Sequence, residues 1–481
     1  MSTWILVFLI YFLNGQVTEV ESKKGFGRGE QEWGYVTVRE NAHMFWWLYY
    51  VNPLDQSKDF NVFSKPLIIW LQGGPGASST GYGNFEELGP LDIDLNQRNN
   101  TWVNDYNVLF IDNPVGSGFS YVEDDSAYVK NNLQIAQDLV VCIKQFLEVI
   151  PEFKNVSTYI TSESYGGKMA AEFALLWYQA QNKGEIVSQL KGVALGDSWI
   201  SPVDSVLSWA PYLLHTGMID TAGFKTIHKS AEATQQAILS GNWTLATELW
   251  GMTEVVIFTV TDNIDFYNIL KKVNPTSKLE KCFSIPQSLE PLIDDDVKLA
   301  DLMNGEVKKT LGLNVTWGDQ QSNVFYELME DFMRPVTNIV ERLLNETSLQ
   351  VFVFSGQLDL IVATPGTLAW VEKLQWKGAA KWRDSPRYSV NVNHTIEGYV
   401  KEYENLKMYW INRAGHMVPR DNPDATKAML QDLTSQKICN VTDTDNNHVE
   451  NTDDNIENSL SEKPIPRNLK KSFRKSKIIH P

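Results

Sequence analysis

The sequence predicts an α/β protein in which a mostly parallel central sheet is interrupted by a helical cap. Three observations predict it: short apolar runs that end in Gly-rich or polar turns, amphipathic stretches alternating with them, and a span of about 150 residues from which the strand signal vanishes. The chain has 481 residues, and single cores rarely grow past about 250–300 residues, so the length calls for two domains or for one fold with a large insertion. One sheet with an inserted cap is the economical reading.

Tyr35-Val36-Thr37-Val38 and Phe45-Trp46-Trp47-Leu48-Tyr49-Tyr50, parted by a charged break, form two antiparallel strands. Pro66 to Leu71, Val108 to Ile111 and Thr158 to Ile160 are short, continuous, and β-branched or aromatic, the pattern of strands buried on both faces. An amphipathic helix from Leu133 to Val149 stops at Pro151, and another runs from Gly167 to Gln181. Val193-Ala194-Leu195-Gly196 is the last strand before the gap. There Ala222 to Leu239 and Thr244 to Phe258 have helical periodicity, and Asn323 to Leu344 does too, with a break or kink at Pro335. Strands return at Val351 to Phe354 and at Leu406 to Ile411. This divides the body into a first core part (19–200), a helical cap (201–345) and a second core part (346–441).

The ends carry their own signals. Trp4 to Leu13 is an apolar run too short to span a bilayer, followed by Asn14-Gly15-Gln16, so residues 1–18 read as a secretory signal peptide, with a buried N-terminal strand as the alternative. N-x-S/T sequons at Asn99, Asn155, Asn242, Asn314, Asn345, Asn393 and Asn440 point to a glycosylated, secreted or lysosomal protein. No later apolar stretch is long enough to predict a membrane span. From 442 to 481 the chain lacks periodic apolar residues and runs from an acidic block to a basic one, the pattern of a disordered tail. The net charge of −17 therefore belongs to the body, which would repel phosphate backbones and argues against nucleic acid as a partner. Three cysteines, Cys142, Cys282 and Cys439, allow at most one disulfide.

Chemistry gathers at strand ends. Thr158 to Gly167 reads as strand, tight turn and helix start, with Ser164 on the turn. A nucleophilic serine on such a turn needs very small residues two positions to either side, because the turn brings their Cα atoms together. Gly166 satisfies this, whereas Ser162 stands where Gly is usual. A serine-rich helix cap would look the same, so the assignment leans on two further residues. Asp359 follows one apolar strand and can orient an imidazole; His416, in the Gly-flanked turn after the last strand, can supply it. The chain order Ser164, Asp359, His416 is that of the α/β-hydrolases. In the turn Gln72-Gly73-Gly74-Pro75-Gly76, the Gly74 amide is the natural partner of the Tyr165 amide in an oxyanion hole. Metal and nucleotide motifs do not occur, and no cofactor is expected.

Longer strings resemble a known family. Gln72 to Ser79, Glu87-Leu88-Gly89-Pro90, Asp112 to Tyr121, Glu163 to Gly167 and Gly415 to Pro419 are similar to the serine carboxypeptidases, and the resemblance runs from about Tyr35 to Pro423. It implies an exopeptidase acting on the free C-termini of peptides or proteins. It also implies that Trp70, Gln72, Glu87 and Glu163 bind the substrate's terminal carboxylate, the two acids sharing a proton. Crowded carboxyls have a raised apparent pKa, so such a site fills in acid. The chain departs from the family at Gln72 (usually Asn), Ala77 (often Cys), Asn113 (usually Gln) and Ser162. Two other functions stay open in the sequence: an acyltransferase or esterase using the same triad, and a binding protein of this fold silenced by Ser162 or Gln72.

Overall fold

Residue alternation along the strands sets the sheet between two apolar layers. In the antiparallel pair β1 (Gln31–Arg39) and β2 (Ala42–Tyr49), Met44, Trp46 and Leu48 of β2 join one layer and Phe45, Trp47 and Tyr49 the other. β3 (Leu67–Leu71) divides in the same way, Leu67, Ile69 and Leu71 against Ile68 and Trp70. A strand apolar on both faces is stable only where both faces are covered. The remaining strands are β4 (Asn107–Ile111), β5 (Tyr121–Val122), β6 (Ser157–Glu163), β7 (Gln189–Gly196), β8 (Gln350–Gly356), β9 (Arg387–Val392), β10 (Thr395–Tyr403) and β11 (Leu406–Ile411). They lie in the order β1-β2-β4-β3-β6-β7-β8-β11-β10-β9, with β5 paired to β2. The six from β4 to β11 run parallel and the flanking pairs antiparallel, so the sheet is parallel at its centre and mixed over its width. This computed structural model describes residues 25–54, 60–273 and 294–435. The expected signal peptide, Cys282, Cys439, Asn440 and the tail at 442–481 lie outside the described residues.

Helices cover both faces. α1 (Asn132–Val149) is capped by the Asn131 side chain, which accepts the Gln134 amide, and it buries Ile135, Leu139, Cys142, Ile143 and Phe146 at helical spacing. Cys142 is a free, buried thiol. α2 (Gly166–Asn182) leaves the end of β6 directly, without a side-chain cap. Between β7 and β8 the chain runs through α3 (Pro202–His215), α4 (Thr221–Leu239), α5 (Trp243–Thr261) and shorter segments. The stretch around Pro335 is three pieces, Ser322–Glu327, Met329–Phe332 and Thr337–Glu346; the last break spans the proline, which has no N–H to continue a helix. No helix among the described residues is long and apolar enough to cross a membrane.

Some elements were not readable in advance. β9 is largely exposed and polar, and β5 has only two residues, so neither offers an apolar run. Ser79–Leu88 is a wide helical coil of π type whose start, with Ser79, Thr80, Gly81 and Gly83, carries no helix signal, yet it places Glu87.

Candidate active site

The chain leaving the C-terminal ends of β3, β6 and β11 lines one cleft, and the turn after β8 reaches it through Asp359 against His416, as expected for a parallel sheet of this kind. The cleft has a volume of about 180 Å³, and Gln72, Gly74, Glu87, Glu163, Ser164 and His416 are in its wall.

Ser164 sits between β6 and α2 with φ +61°, the left-handed region that a side chain seldom adopts. Backbone bonds hold it there: its amide donates to Gly196 O at 3.1 Å, and its carbonyl accepts the amides of Gly167 (3.0 Å) and Trp199 (2.9 Å). The turn is tight on both flanks. A Cβ on Gly166 would lie 2.5 Å from Leu71 O, and one on Gly73 would lie 2.5 Å from the Cβ of Ser164 itself. Ser162, where the elbow usually has Gly, is still within β6, and its hydroxyl donates to Ala194 O on β7 at 3.3 Å. The side chain is absorbed by the sheet and does not crowd the turn.

His416 and Asp359 arrive from the other side. His416 Nδ1 lies 2.9 Å from Asp359 Oδ2, both groups being buried. The His416 amide donates to Tyr267 O at 2.8 Å, and the Tyr267 ring packs edge-on against the imidazole at 4.9 Å. Asp359 also accepts the Val362 amide at 3.2 Å. With Nδ1 engaged, Nε2 is the nitrogen left for a proton transfer at Ser164. Among the described residues the amides of Gly74 and Tyr165 donate no hydrogen bond, which leaves them available to an incoming oxygen.

The four residues assigned to carboxylate binding form one chain of hydrogen bonds. Trp70 Nε1 donates to Gln72 Oε1 at 2.7 Å, and Gln72 Nε2 donates to Glu87 Oε1 and to Glu163 Oε1, both at 3.0 Å. The longer glutamine thus bridges the two acids. The second oxygen of each, Oε2, is buried without a donor. Burial, and for Glu163 the neighbouring Glu87 charge, push both carboxyls above the usual range, which favours a proton retained on the pair.

Two groups beside the cleft were missed by sequence reasoning. Arg420, in the short helix Val418–Asp421, lines the cleft 3.4 Å from Glu86 Oε2; burial works against its charge, but Asp421, Glu86, Glu87 and Glu163 hold the guanidinium cationic. Asp197, at the end of β7, is buried beside Asp359. The only signal for either was its closeness in sequence to a Gly at a strand end. All six described sequon asparagines, Asn99, Asn155, Asn242, Asn314, Asn345 and Asn393, are exposed.

The family model for serine carboxypeptidases matches residues 22–436. The chain belongs to the serine carboxypeptidase family. It is 46% identical over 451 residues to the human retinoid-inducible serine carboxypeptidase, covering 90% of this chain and 97% of that protein. It is 37% identical to serine carboxypeptidase-like 51 of Arabidopsis thaliana, covering 89% and 97%. Among solved structures it resembles a prohormone-processing carboxypeptidase from Saccharomyces cerevisiae, with a TM-score of 0.72 at 22% identity over 84% of this chain and 91% of that one. The fold is that of an α/β-hydrolase, and the family's members are serine-type hydrolases.

Proposed function

We propose that the protein removes single residues from the C-termini of peptides in an acidic compartment of the secretory pathway or outside the cell. The observation that carries this reading is the shared cleft, lined by Ser164 and His416 together with the Gln72-bridged pair Glu87 and Glu163. A serine hydrolase without exopeptidase specificity has no use for a buried, proton-sharing acid pair next to its nucleophile. A terminal carboxylate does: a protonated carboxyl donates to it, where two ionised ones would repel it.

In the proposed reaction Ser164 Oγ attacks the last peptide carbonyl while His416 Nε2 takes the hydroxyl proton, and Asp359 steadies the imidazolium. The amides of Gly74 and Tyr165 hold the oxyanion. His416 then gives the proton to the departing amino group, leaving an acyl-enzyme that water opens by the same transfers in reverse order. Trp70 takes part by fixing the Gln72 amide. The exposed sequon asparagines favour glycosylation and passage through the secretory pathway.

The test is labelling of the purified protein by a serine-directed fluorophosphonate, with Ser164→Ala as control, and then a panel of peptides with free or amidated C-termini. Labelling lost in the variant, with single residues released in acid from free C-termini only, is the expected result. Ester turnover without peptide cleavage would point to an esterase or acyltransferase, and no labelling at any pH would leave a binding protein.

A further inference from the structure

Asp197 is one acid more than the reaction above requires. It stands at the end of β7 with φ +38°, its amide donating to Phe354 O of β8 at 2.8 Å. Its Oδ1 accepts the Gly356 amide at 2.8 Å, and the Ser355 hydroxyl is the other donor beside the carboxyl. Its carboxyl lies within hydrogen-bonding reach of Asp359, and ligand atoms of Asp197, Asp359 and His416 all fall within 4.8 Å of one another. Two buried carboxyls this close cannot both carry a charge, and Asp359 is the one that faces an imidazole. One proton must therefore reside on the pair, and with Asp359 paired to His416, Asp197 is the acid left to carry it.

We propose that Asp197 is a positioning residue that stays protonated and donates a hydrogen bond to the Asp359 carboxylate, lowering the basicity of His416. This rests on the Ser164, His416 and Asp359 assignment above. The chemical reason for such a bond is the working pH. A donor on Asp359 takes up part of its negative charge and so weakens the pull of that carboxylate on an imidazole proton. The other ionisable groups facing Asp197 are Glu163 at the end of β6 and, next to Asp359, Tyr212 of α3, whose hydroxyl bonds Gln357 O. Burial and the Asp359 charge both push the Asp197 carboxyl well above its ordinary value, in keeping with a retained proton.

The experiment compares Asp197→Asn, whose amide can make the same donation, with Asp197→Leu, which cannot, in pH profiles of kcat/KM on one peptide. Expected is a wild-type acid limb in Asp197→Asn and a limb moved up by about one pH unit in Asp197→Leu, the size of effect typical of a hydrogen bond or charge beside a titrating group, with KM at the optimum unchanged. A merely structural role would reduce the fraction of enzyme that labels with fluorophosphonate without moving the limb. An unmoved limb in a folded, labelled Asp197→Leu overturns the proposal, and so does a limb shifted in Asp197→Asn, which decides the matter should the leucine variant not fold. Activity persisting in Ser164→Ala would instead overturn the triad assignment itself.

Discussion

Gln72 concentrates the energetics of the cleft. Both protons of its amide are spent on Glu87 and Glu163, and its oxygen on Trp70, so in the free protein the two acids are held side by side, as the proposed binding of a terminal carboxylate requires. Because both acids are shifted upward, the proton that makes the pair a donor is lost as pH rises through the folded values. KM for peptides with free C-termini is therefore expected to climb towards neutral pH, with kcat changing less. Glu163→Gln keeps a neutral group there at any pH. Steady-state profiles of this variant should show a KM nearly independent of pH, about tenfold above the wild-type minimum if one charge-assisted bond of roughly 1.5 kcal/mol is lost; a wild-type-like rise would remove the pair from carboxylate binding. Ser162 makes the opposite point. Since its hydroxyl is taken up by Ala194 O, Ser162→Gly should leave kcat nearly unchanged and cost about 1 kcal/mol in denaturant unfolding, from one modest hydrogen bond and added chain entropy.

At the scale of elements, the helix behind the nucleophile is tied to the chain between β7 and β8 by one buried ion pair. Lys168 in α2 is fully buried and donates to Asp331 Oδ2 at 2.8 Å and to Asp331 O at 2.6 Å, while the Tyr165 hydroxyl donates to the same carboxylate at 2.7 Å. Asp331→Ala would leave a buried ammonium uncompensated, a loss on the order of 3–5 kcal/mol, whereas pairing Lys168→Met with Asp331→Leu should recover most of it. Chemical denaturation of the three proteins checks this, and a single variant no worse than the double would contradict it. Which elements could be read beforehand follows from the same physics. β3, β4 and β8 are buried on both faces and so carry continuous apolar runs, and α1 and α2 show their apolar stripes. The β9–β10 edge, half in water, has no such run, and the coil that carries Glu87 is held by tertiary bonds: Asp112 accepts the Ser78 and Thr80 hydroxyls and the Thr80 amide. The residues assigned to the reaction stood out because turns at strand ends demand Gly. Asp197 and Arg420 were not, because what gives them meaning is a neighbour distant in sequence.

For the molecule as a whole, the acids that the site requires set how stability responds to pH. Glu87, Glu163 and Asp197 are all raised by burial, and Glu172 and Asp138 are raised for the same first reason. Between the unfolded carboxylate value near 4 and each raised folded value, the native state binds more protons than the unfolded chain, so stability falls as pH rises through that window. The contribution is complete below the unfolded value and gone above the folded one. Asp331 works in the other direction: Lys168 and the hydrogen bonds around it outweigh its burial and lower its pKa, so its contribution is present at neutral pH and is lost only as pH falls below about 4. The body's net charge of −17 adds self-repulsion at neutral pH, again favouring acid. Thermal unfolding should accordingly give a higher Tm in mild acid than at neutral pH, and Glu163→Gln, which cannot ionise, should flatten that dependence by raising Tm at neutral pH more than in acid. A Tm that increases from mild acid to neutral pH would mean that the acid pair is ionised in the folded protein, and a pair ionised there has no proton to offer a substrate carboxylate.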